Sequence, residues 1–319
     1  MLEQFKDKKI YFISDVDLDG IGSRVIFSHF FFPITNYIYF YNTADRSLPD
    51  FEWDVAADSD YVIFCDIAPP DLDFYNKLKD LTNVYIFDHH ESARRDLGEL
   101  KNYYYDIGRC GAKILYDFIS PRRQKLIVRQ FIDLVNCYDL WDYKSDLFLD
   151  AHDLHNAMYG YVDWRLADHQ TDTEKYNEFI AIQLWKFKNK NSFYLTKREN
   201  SKAAQAKKKE QDNYRDARKS FMKRQDNQGN TYGYFDCTSK ISWVSHLLLH
   251  EHEDLDYIVG YANYFKDTKV SLRARTTSPI DVSEIAKSWG GGGHPCAAGM
   301  VFEDYNNFID FQNGKIHLR

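Results

Sequence analysis

Ile10-Tyr11-Phe12-Ile13-Ser14-Asp15-Val16-Asp17-Leu18-Asp19-Gly20 is the stretch whose reading decides the fold. An apolar run leads into three carboxylates at every second position, and a glycine closes the series. Residues 9–14 read as a buried strand. Residues 20–32 read as a helix with Ile21, Val25, Ile26 and Phe30 apolar. Extended geometry would set Asp15, Asp17 and Asp19 on one side, whereas a turn at the strand end would converge them on one point. Anions crowded this closely cost folding energy unless a cation sits among them, and hard oxygen ligands suit a divalent metal. A solvated acidic turn would use the same residues, because Asp and Gly are common turn formers.

Working outward, the pattern recurs. Residues 37–41 form an aromatic strand, and 61–65 a strand ending on Asp66. A helix over 71–81 follows Pro69-Pro70, and the strand 84–87 ends on Asp88-His89-His90. Apolar strands alternating with helices indicate a parallel sheet with crossover helices. Sites in such sheets form outside the carboxyl ends of the strands. Asp15, Asp66 and Asp88-His89-His90 are therefore expected at one edge, which favours a site over an acidic turn. Helices are expected over 110–119 and 122–138. The second runs into Asp139, a carboxylate between apolar and aromatic neighbours. It is a candidate further ligand; a helix C-terminal loop residue is the alternative. Residues 151–195 read as helical and amphipathic, with Trp164, Leu166, Phe179, Ile182, Leu184 and Trp185.

The composition changes over 196–228, where Lys, Arg, Gln, Asn and Ala dominate, as in Lys207-Lys208-Lys209-Glu210. This reads as an exposed helical linker holding the domain boundary; a basic track for nucleic acid is the lesser alternative. Strands return at 232–236, 257–264 and 269–275. A helix over 282–289 runs into Gly290-Gly291-Gly292-Gly293-His294, and Ala297-Ala298-Gly299-Met300-Val301-Phe302 ends as a strand. The expected domains are 1–195, 196–228 and 229–319.

Composition narrows the function classes. The chain has 319 residues, 44% apolar content and a formal charge of −7. A core is expected, and wrapping of long nucleic acid by bulk charge is not. Local metals and a few arginines still allow a phosphate substrate. Five scattered cysteines, Cys65, Cys110, Cys137, Cys237 and Cys296, form no CxxC pair, which argues against zinc ribbons and disulfide scaffolds. With no signal-peptide pattern and no apolar stretch near the ~20 residues of a membrane span, a cytoplasmic protein without a membrane partner is expected.

Oxygen ligands with one or two histidines point to Mn2+ or Mg2+, with Co2+ or Fe2+ as further options. Two such ions about 4 Å apart clamp a phosphate and turn a bridging water into a nucleophile. The C-terminal region adds Arg273 and Arg275, two apart and on one strand face, suited to bidentate phosphate binding. The glycine run exposes backbone N–H groups as an anion cradle, with a flexible linker as the bland alternative.

Asp17-Leu18-Asp19-Gly20, Asp66, Asp88-His89-His90 and Asp139, in this order, resemble the four motifs of the DHH phosphoesterase superfamily. Val270-Ser271-Leu272-Arg273, the GGGH segment and Ala297-Ala298-Gly299 resemble its associated C-terminal domain. The resemblance implies an α/β fold: a parallel-sheet catalytic domain, a helical linker, and a smaller α/β domain with the active site in the cleft between. It implies a dinuclear Mn2+ centre, with Mg2+ or Co2+ as alternatives. Asp15, Asp17 and Asp66 would hold one ion; Asp19, Asp66, His89 and Asp139 would hold the other, with Asp66 bridging. His90 would face the scissile phosphate and Asp88 would support the histidine pair. Arg109, Arg273, Arg275, Gly291, Gly292, Gly293 and His294 would bind substrate. Many relatives carry His where this chain has Asp15, whereas exonucleases of the RecJ type carry an acid there. The chain is too short for the extra nucleic-acid-binding domains of those exonucleases. Its layout is more similar to oligoribonucleases (nanoRNases) and phosphatases of 3′-phosphoadenosine 5′-phosphate. The implied activity is Mn2+-dependent hydrolysis of short oligonucleotides or linear dinucleotides to nucleoside 5′-monophosphates. A phosphatase of 3′-phosphoadenosine 5′-phosphate or a cyclic-dinucleotide phosphodiesterase, or a catalytically silent binding protein, are the alternatives. Expected partners are a short single-stranded oligonucleotide or dinucleotide, with a homodimer left open.

Overall fold

In this computed structural model the chain forms two compact units, Met1–Ala206 and Lys207–Arg319. The structure describes residues 2–43, 45–119, 125–162, 171–264, 267–275 and 277–312. Trp164 and Leu166 of the expected 151–195 helix, and the first residues of the expected 122–138 helix, lie outside the described residues.

After a short 3-10 turn at Leu2–Phe5, the first unit runs β1 (Lys9–Ser14), α1 (Leu18–Phe31), β2 (Tyr37–Asn42), α2 (Trp53–Asp58), β3 (Tyr61–Cys65), α3 (Leu72–Lys79), β4 (Asn83–Asp88), α4 (Glu91–Leu97) and β5 (Tyr103–Tyr105). The helices α5 (Gly111–Ile119), α6 (Leu126–Asp139), α7 (Phe148–Tyr159), α8 (Asp172–Lys175) and α9 (Asn177–Asn189) follow. The unit boundary falls within α10 (Lys197–Ser220). The strands form one parallel sheet in the order β2-β1-β3-β4-β5. Its order reverses between β1 and β3, and a ligand crevice opens at such a switch point, outside the carboxyl ends of the strands.

The central strands owe their place to continuous apolar runs. Every residue of β1 after Lys9 is buried, as a strand covered on both faces requires. Helix α1 is buried almost all round. It packs on the sheet and on α5, α6 and α9, with Phe12, Phe27 and Phe31 stacked at centroid distances of 4.3 and 4.1 Å. Three short elements escape the sequence pattern. Helices α2 and α4 are too brief to show a period, and β5 takes its conformation from pairing with β4.

The second unit contains β6 (Met222–Gln225), β7 (Thr231–Asp236), α11 (Ile241–Glu251), β8 (Tyr257–Asn263), β9 (Thr268–Ala274), α12 (Val282–Lys287), β10 (Gly292–His294), β11 (Ala297–Phe302) and α13 (Tyr305–Gln312). Its mixed sheet has the order β10-β11-β9-β8-β7-β6, with only the β7–β8 pair parallel. A core of Tyr257, Val259, Leu272, Val282, Ile285, Met300, Phe308 and Phe311 closes one face.

Helix α10 differs from the exposed linker expected over 196–228. Its lysines and arginines are mostly exposed, but Glu199, Ala203, Glu210, Asn213 and Ala217 form a buried stripe at helical spacing. Small and polar residues hide this stripe from a hydrophobicity reading. At Glu199 the burial is supported by ion pairing. Its Oε1 lies 2.7 Å from Lys186 Nζ on α9, both side chains are fully buried, and Gln183 donates to the same oxygen at 2.9 Å. Removing one partner of such a pair strands a buried charge. K186M or E199A alone is expected to lower unfolding free energy by about 3–5 kcal/mol in urea titrations, and the double change K186M/E199L to recover most of it. Equal losses in single and double variants would contradict a coupled pair.

Candidate metal centre and active site

The acidic stretch becomes a site because β1 ends at Ser14 and α1 begins at Leu18, leaving Asp15 and Asp17 on the connecting turn. Asp17 caps α1, its Oδ1 accepting the Gly20 N–H at 3.0 Å. Gly20 is required by space: a Cβ there would stand 2.1 Å from the Asp15 carbonyl oxygen. Asp19, already in α1, is fully buried, and its carboxylate accepts the N–H groups of Gly111 at 2.6 Å and Ala112 at 2.8 Å. The N-terminus of α5 thus neutralises part of that charge. Gly111 permits the approach, since a Cβ would lie 2.7 Å from the Asp66 backbone nitrogen. Asp66 follows β3 with φ +59°, a left-handed conformation uncommon outside glycine. Such strain persists where surrounding structure imposes it.

The three strand ends converge. Nε2 of His89 lies 3.4 Å from Asp66 Oδ1, 3.3 Å from Asp139 Oδ2 and 3.9 Å from Asp19 Oδ2. Ligand atoms of Asp19, Asp66 and His89 fall within 4.8 Å of one another, as do those of Asp19, Cys110 and Asp139. Asp66 Oδ2 is buried and accepts no hydrogen bond among the described residues. An oxygen-rich set with one imidazole and an unsatisfied buried carboxylate oxygen fits a hard divalent cation.

The electrostatics express the same crowding. Burial first, then Asp17, pushes Asp15 up to about 7. Burial raises Asp19, Asp66 and Asp139 as well, with neighbouring carboxylates adding to it. Asp88 behaves oppositely. Burial opposes its charge, but His90, His89 and Arg46 outweigh it and bring Asp88 to about 2. Its Oδ1 stands 2.7 Å from His90 Nδ1, and Tyr103 donates to Oδ2 at 3.3 Å. Burial, then Arg46, lowers His90 to about 4. At neutral pH the pair is a carboxylate and a neutral imidazole.

The other sequence-derived residues fall elsewhere. Arg109 Nε pairs with Asp106 at 2.8 Å and Nη1 with Asp117 at 2.9 Å. Arg273 is on β9, donating to Ser271 Oγ at 3.1 Å. Arg275 lies one residue past that strand, and its Nη2 donates to the carbonyls of Leu249 and, at 3.0 Å, His252, behind the end of α11. The glycine run is not a free loop. Gly290 follows α12 closely, and Gly292, Gly293 and His294 pair with Gly299, Ala298 and Ala297. A Cβ on Gly291 would meet the Gly299 carbonyl at 2.2 Å, whereas Gly292 has open space before it.

Three features escape sequence reasoning. Arg46 reaches His90, with Nη2 2.7 Å from Nε2, from a turn that carries no motif. Arg24, buried on α1, donates to Asn42 Oδ1 at 2.9 Å, Thr173 O at 2.6 Å and Asn177 Oδ1 at 2.9 Å. Asn42 in turn donates to Ser14 Oγ at 2.6 Å and Asp15 O at 3.3 Å, fixing the end of β1. Cys110, completely buried, opens α5 beside Asp19. Cys110-Gly111-Ala112 at the start of a helix is the available signal, since small residues there allow close backbone approach.

This geometry agrees with comparisons to known proteins. Residues 9–137 match the DHH family, N-terminal domain, and residues 235–314 match the DHHA1 domain. The chain belongs to the DHH superfamily, with a C-terminal DHHA1 domain. It is 24% identical over 156 residues to a 3′,5′-cyclic-nucleotide phosphodiesterase of Helicobacter pylori, covering 42% of this chain and 44% of that one. The chain spans about half the length of the curated relatives it matches. Its fold is similar to the pGpG-specific phosphodiesterase PggH from Vibrio cholerae (TM-score 0.57, 12% identity, 96% and 97% of the two chains covered). It is also similar to exonuclease RecJ bound to manganese (TM-score 0.56, 14% identity, 98% and 90% covered). No described helix is long and apolar enough to cross a membrane.

The carboxylate shifts have a sign that can be tested. Asp15 moves from 3.8 to about 7 on folding, so its favourable term is complete below about pH 4 and lost as pH rises to 7. Asp19, Asp66 and Asp139 shift in the same direction. His90 opposes them, losing stability as pH falls from 6.5 toward 4, but it is one group against four. Chelator-treated protein is therefore expected to lose thermal stability between about pH 5 and 7.5. Mn2+ should raise Tm far more at pH 7.5 than at pH 5, by about 2.7 kcal/mol of stability at a hundredfold excess over Kd. A Tm that ignores Mn2+ at pH 7.5 would contradict a metal centre.

Proposed function

We propose that this protein is a metal-dependent phosphodiesterase that hydrolyses short oligonucleotides or linear dinucleotides to nucleoside 5′-monophosphates. The observation that carries the reading is the convergence of His89 Nε2 on Asp19, Asp66 and Asp139 at the switch point of a parallel sheet. Asp15, Asp17 and Asp66 would hold one ion. Asp19, Asp66, His89 and Asp139 would hold the second, with Asp66 shared. Mn2+ is the proposed metal, and Mg2+ or Co2+ suit the same donors. Bound ions would polarise the phosphate and lower the pKa of a coordinated water.

The chain's own residues supply the rest. The α5 N-terminus and Asp17's capping bond hold the carboxylates in place before substrate arrives. Asp88 holds Nδ1 of His90, so Nε2, where Arg46 now donates, would be the nitrogen that serves the reacting phosphate. Arg273, Gly291, Gly292, Gly293 and His294 are proposed to hold the nucleotide through charge and backbone N–H groups. Arg109 and Arg275 would join only by giving up the carboxylates and carbonyls they now hold.

The pGpG activity named for the Vibrio cholerae structure supports a linear dinucleotide, and the name RecJ supports end-directed cleavage. The Helicobacter pylori relative favours a second reading, hydrolysis of a cyclic nucleotide. A phosphatase of 3′-phosphoadenosine 5′-phosphate uses the same chemistry. A silent binding protein is disfavoured, because every proposed ligand position holds a competent side chain.

The test is a panel with Mn2+: 5′-labelled di- to pentanucleotides of RNA and DNA, cyclic mono- and dinucleotides, and 3′-phosphoadenosine 5′-phosphate. Release of 5′-mononucleotides, falling with substrate length and reduced by about a hundredfold or more in D88A, is expected. Cleavage of cyclic substrates alone would support the second reading. No product from any of them, with D88A identical to wild type, would sink both.

A further inference from the structure

The His90 ring has two nitrogens, and both are engaged. Asp88 holds Nδ1 at 2.7 Å. Arg46 holds Nε2, also at 2.7 Å. A guanidinium offers only N–H donors and keeps its charge. Nε2 therefore accepts, and the Nδ1–H donates to Asp88.

Arg46 comes to this place from outside. Arg46 is an exposed residue, and its guanidinium contacts the buried His90. The turn that carries it is built for the task. Asp45 Oδ1 accepts from Ser47 N at 2.8 Å and Ser47 Oγ at 2.7 Å, and Leu48 N–H bonds to the Asp45 carbonyl at 3.1 Å. Arg46 makes no carboxylate ion pair among the described residues, although Asp15 and Asp88 both feel its charge. Its guanidinium stands on the imidazole of His90, beside the acidic cluster that holds Asp15 and Asp88.

The geometry points to Arg46 as a phosphate-gripping residue: its guanidinium marks the position beside His90 that a nonbridging oxygen of the scissile phosphate takes, and it transfers from the imidazole to that oxygen when substrate enters. This rests on the phosphodiesterase reading above. An anionic oxygen is the stronger acceptor, so the exchange is favourable. Arg46 also supplies positive charge where carboxylates would repel a phosphodiester before it reaches the metals. Release of Nε2 at the same moment makes the imidazole lone pair available only when substrate is present.

The experiment compares R46M, R46K and R46A with wild type on a 5′-labelled dinucleotide with Mn2+, each variant first checked for unchanged Tm. R46M is expected to lose about ten- to hundredfold in kcat/KM, with R46K intermediate. Added guanidinium ion should restore R46A activity several-fold. A second readout is inhibition by a dinucleotide with an uncharged methylphosphonate linkage. Wild type should bind it more weakly than the charged dinucleotide, and R46M should bind the two alike. R46M within twofold of an active wild type overturns the inference and leaves the phosphodiesterase reading standing. A loss in R46M without guanidinium rescue, and with the charge discrimination intact, assigns Arg46 to loop structure and also overturns it. A wild type that cleaves nothing takes down the parent reading and this inference together.

Discussion

The structure turns on electrostatic repulsion among buried and half-buried carboxylates. Asp15, Asp19, Asp66 and Asp139 are drawn to one edge of a sheet, and burial raises each of them. Nothing in ordinary packing rewards that arrangement. It persists because the backbone around it leaves little choice. Asp19 is tied to a helix N-terminus, Asp17 to the start of α1, and Asp66 sits in a left-handed conformation between β3 and the Gly111 backbone. The consequence is a cluster of carboxylates at the carboxyl end of the sheet whose donors suit a divalent cation.

Around this centre the fold divides its tasks. Buried aromatics and branched residues in β1, β3 and β4 hold the strand ends in register. The polar supports lie one layer out. Arg24 and Asn42 fix the end of β1, and Asp88 fixes the orientation of His90. Arg24 is unusual in having amide and carbonyl partners and no carboxylate, with burial lowering it to about 10. Its bonds tie α1 and β2 to the segment at Thr173 and Asn177, far away in sequence.

Much of this was legible beforehand, unevenly. The apolar strands and their acidic ends could be read because a buried parallel strand leaves a continuous signature and its terminus is marked by an abrupt change to Asp or His. The order β2-β1-β3-β4-β5 could not be read, since neighbouring strands leave no trace in local pattern. Arg109 and Arg275 drew attention as cations, yet their guanidinium groups are engaged by carboxylates and by main-chain carbonyls. The glycine run looked like a cradle and is in part a tight β-pairing, in which Gly291 gives room to the Gly299 carbonyl. Helix α10 looked exposed because its buried stripe consists of alanine, glutamate and asparagine.

What the sequence by itself determined was chemical identity: which side chains stand at the strand ends, their order along the chain, and membership of the DHH superfamily. Those properties are local, written in runs of a few residues. Only the tertiary structure decided who meets whom. Gly111 donates to Asp19 across 92 residues, and Arg46 reaches His90 across 44. No periodicity encodes such pairs. They arise because parallel crossovers return distant strand ends to a common edge, and the space left there admits one arrangement of charge.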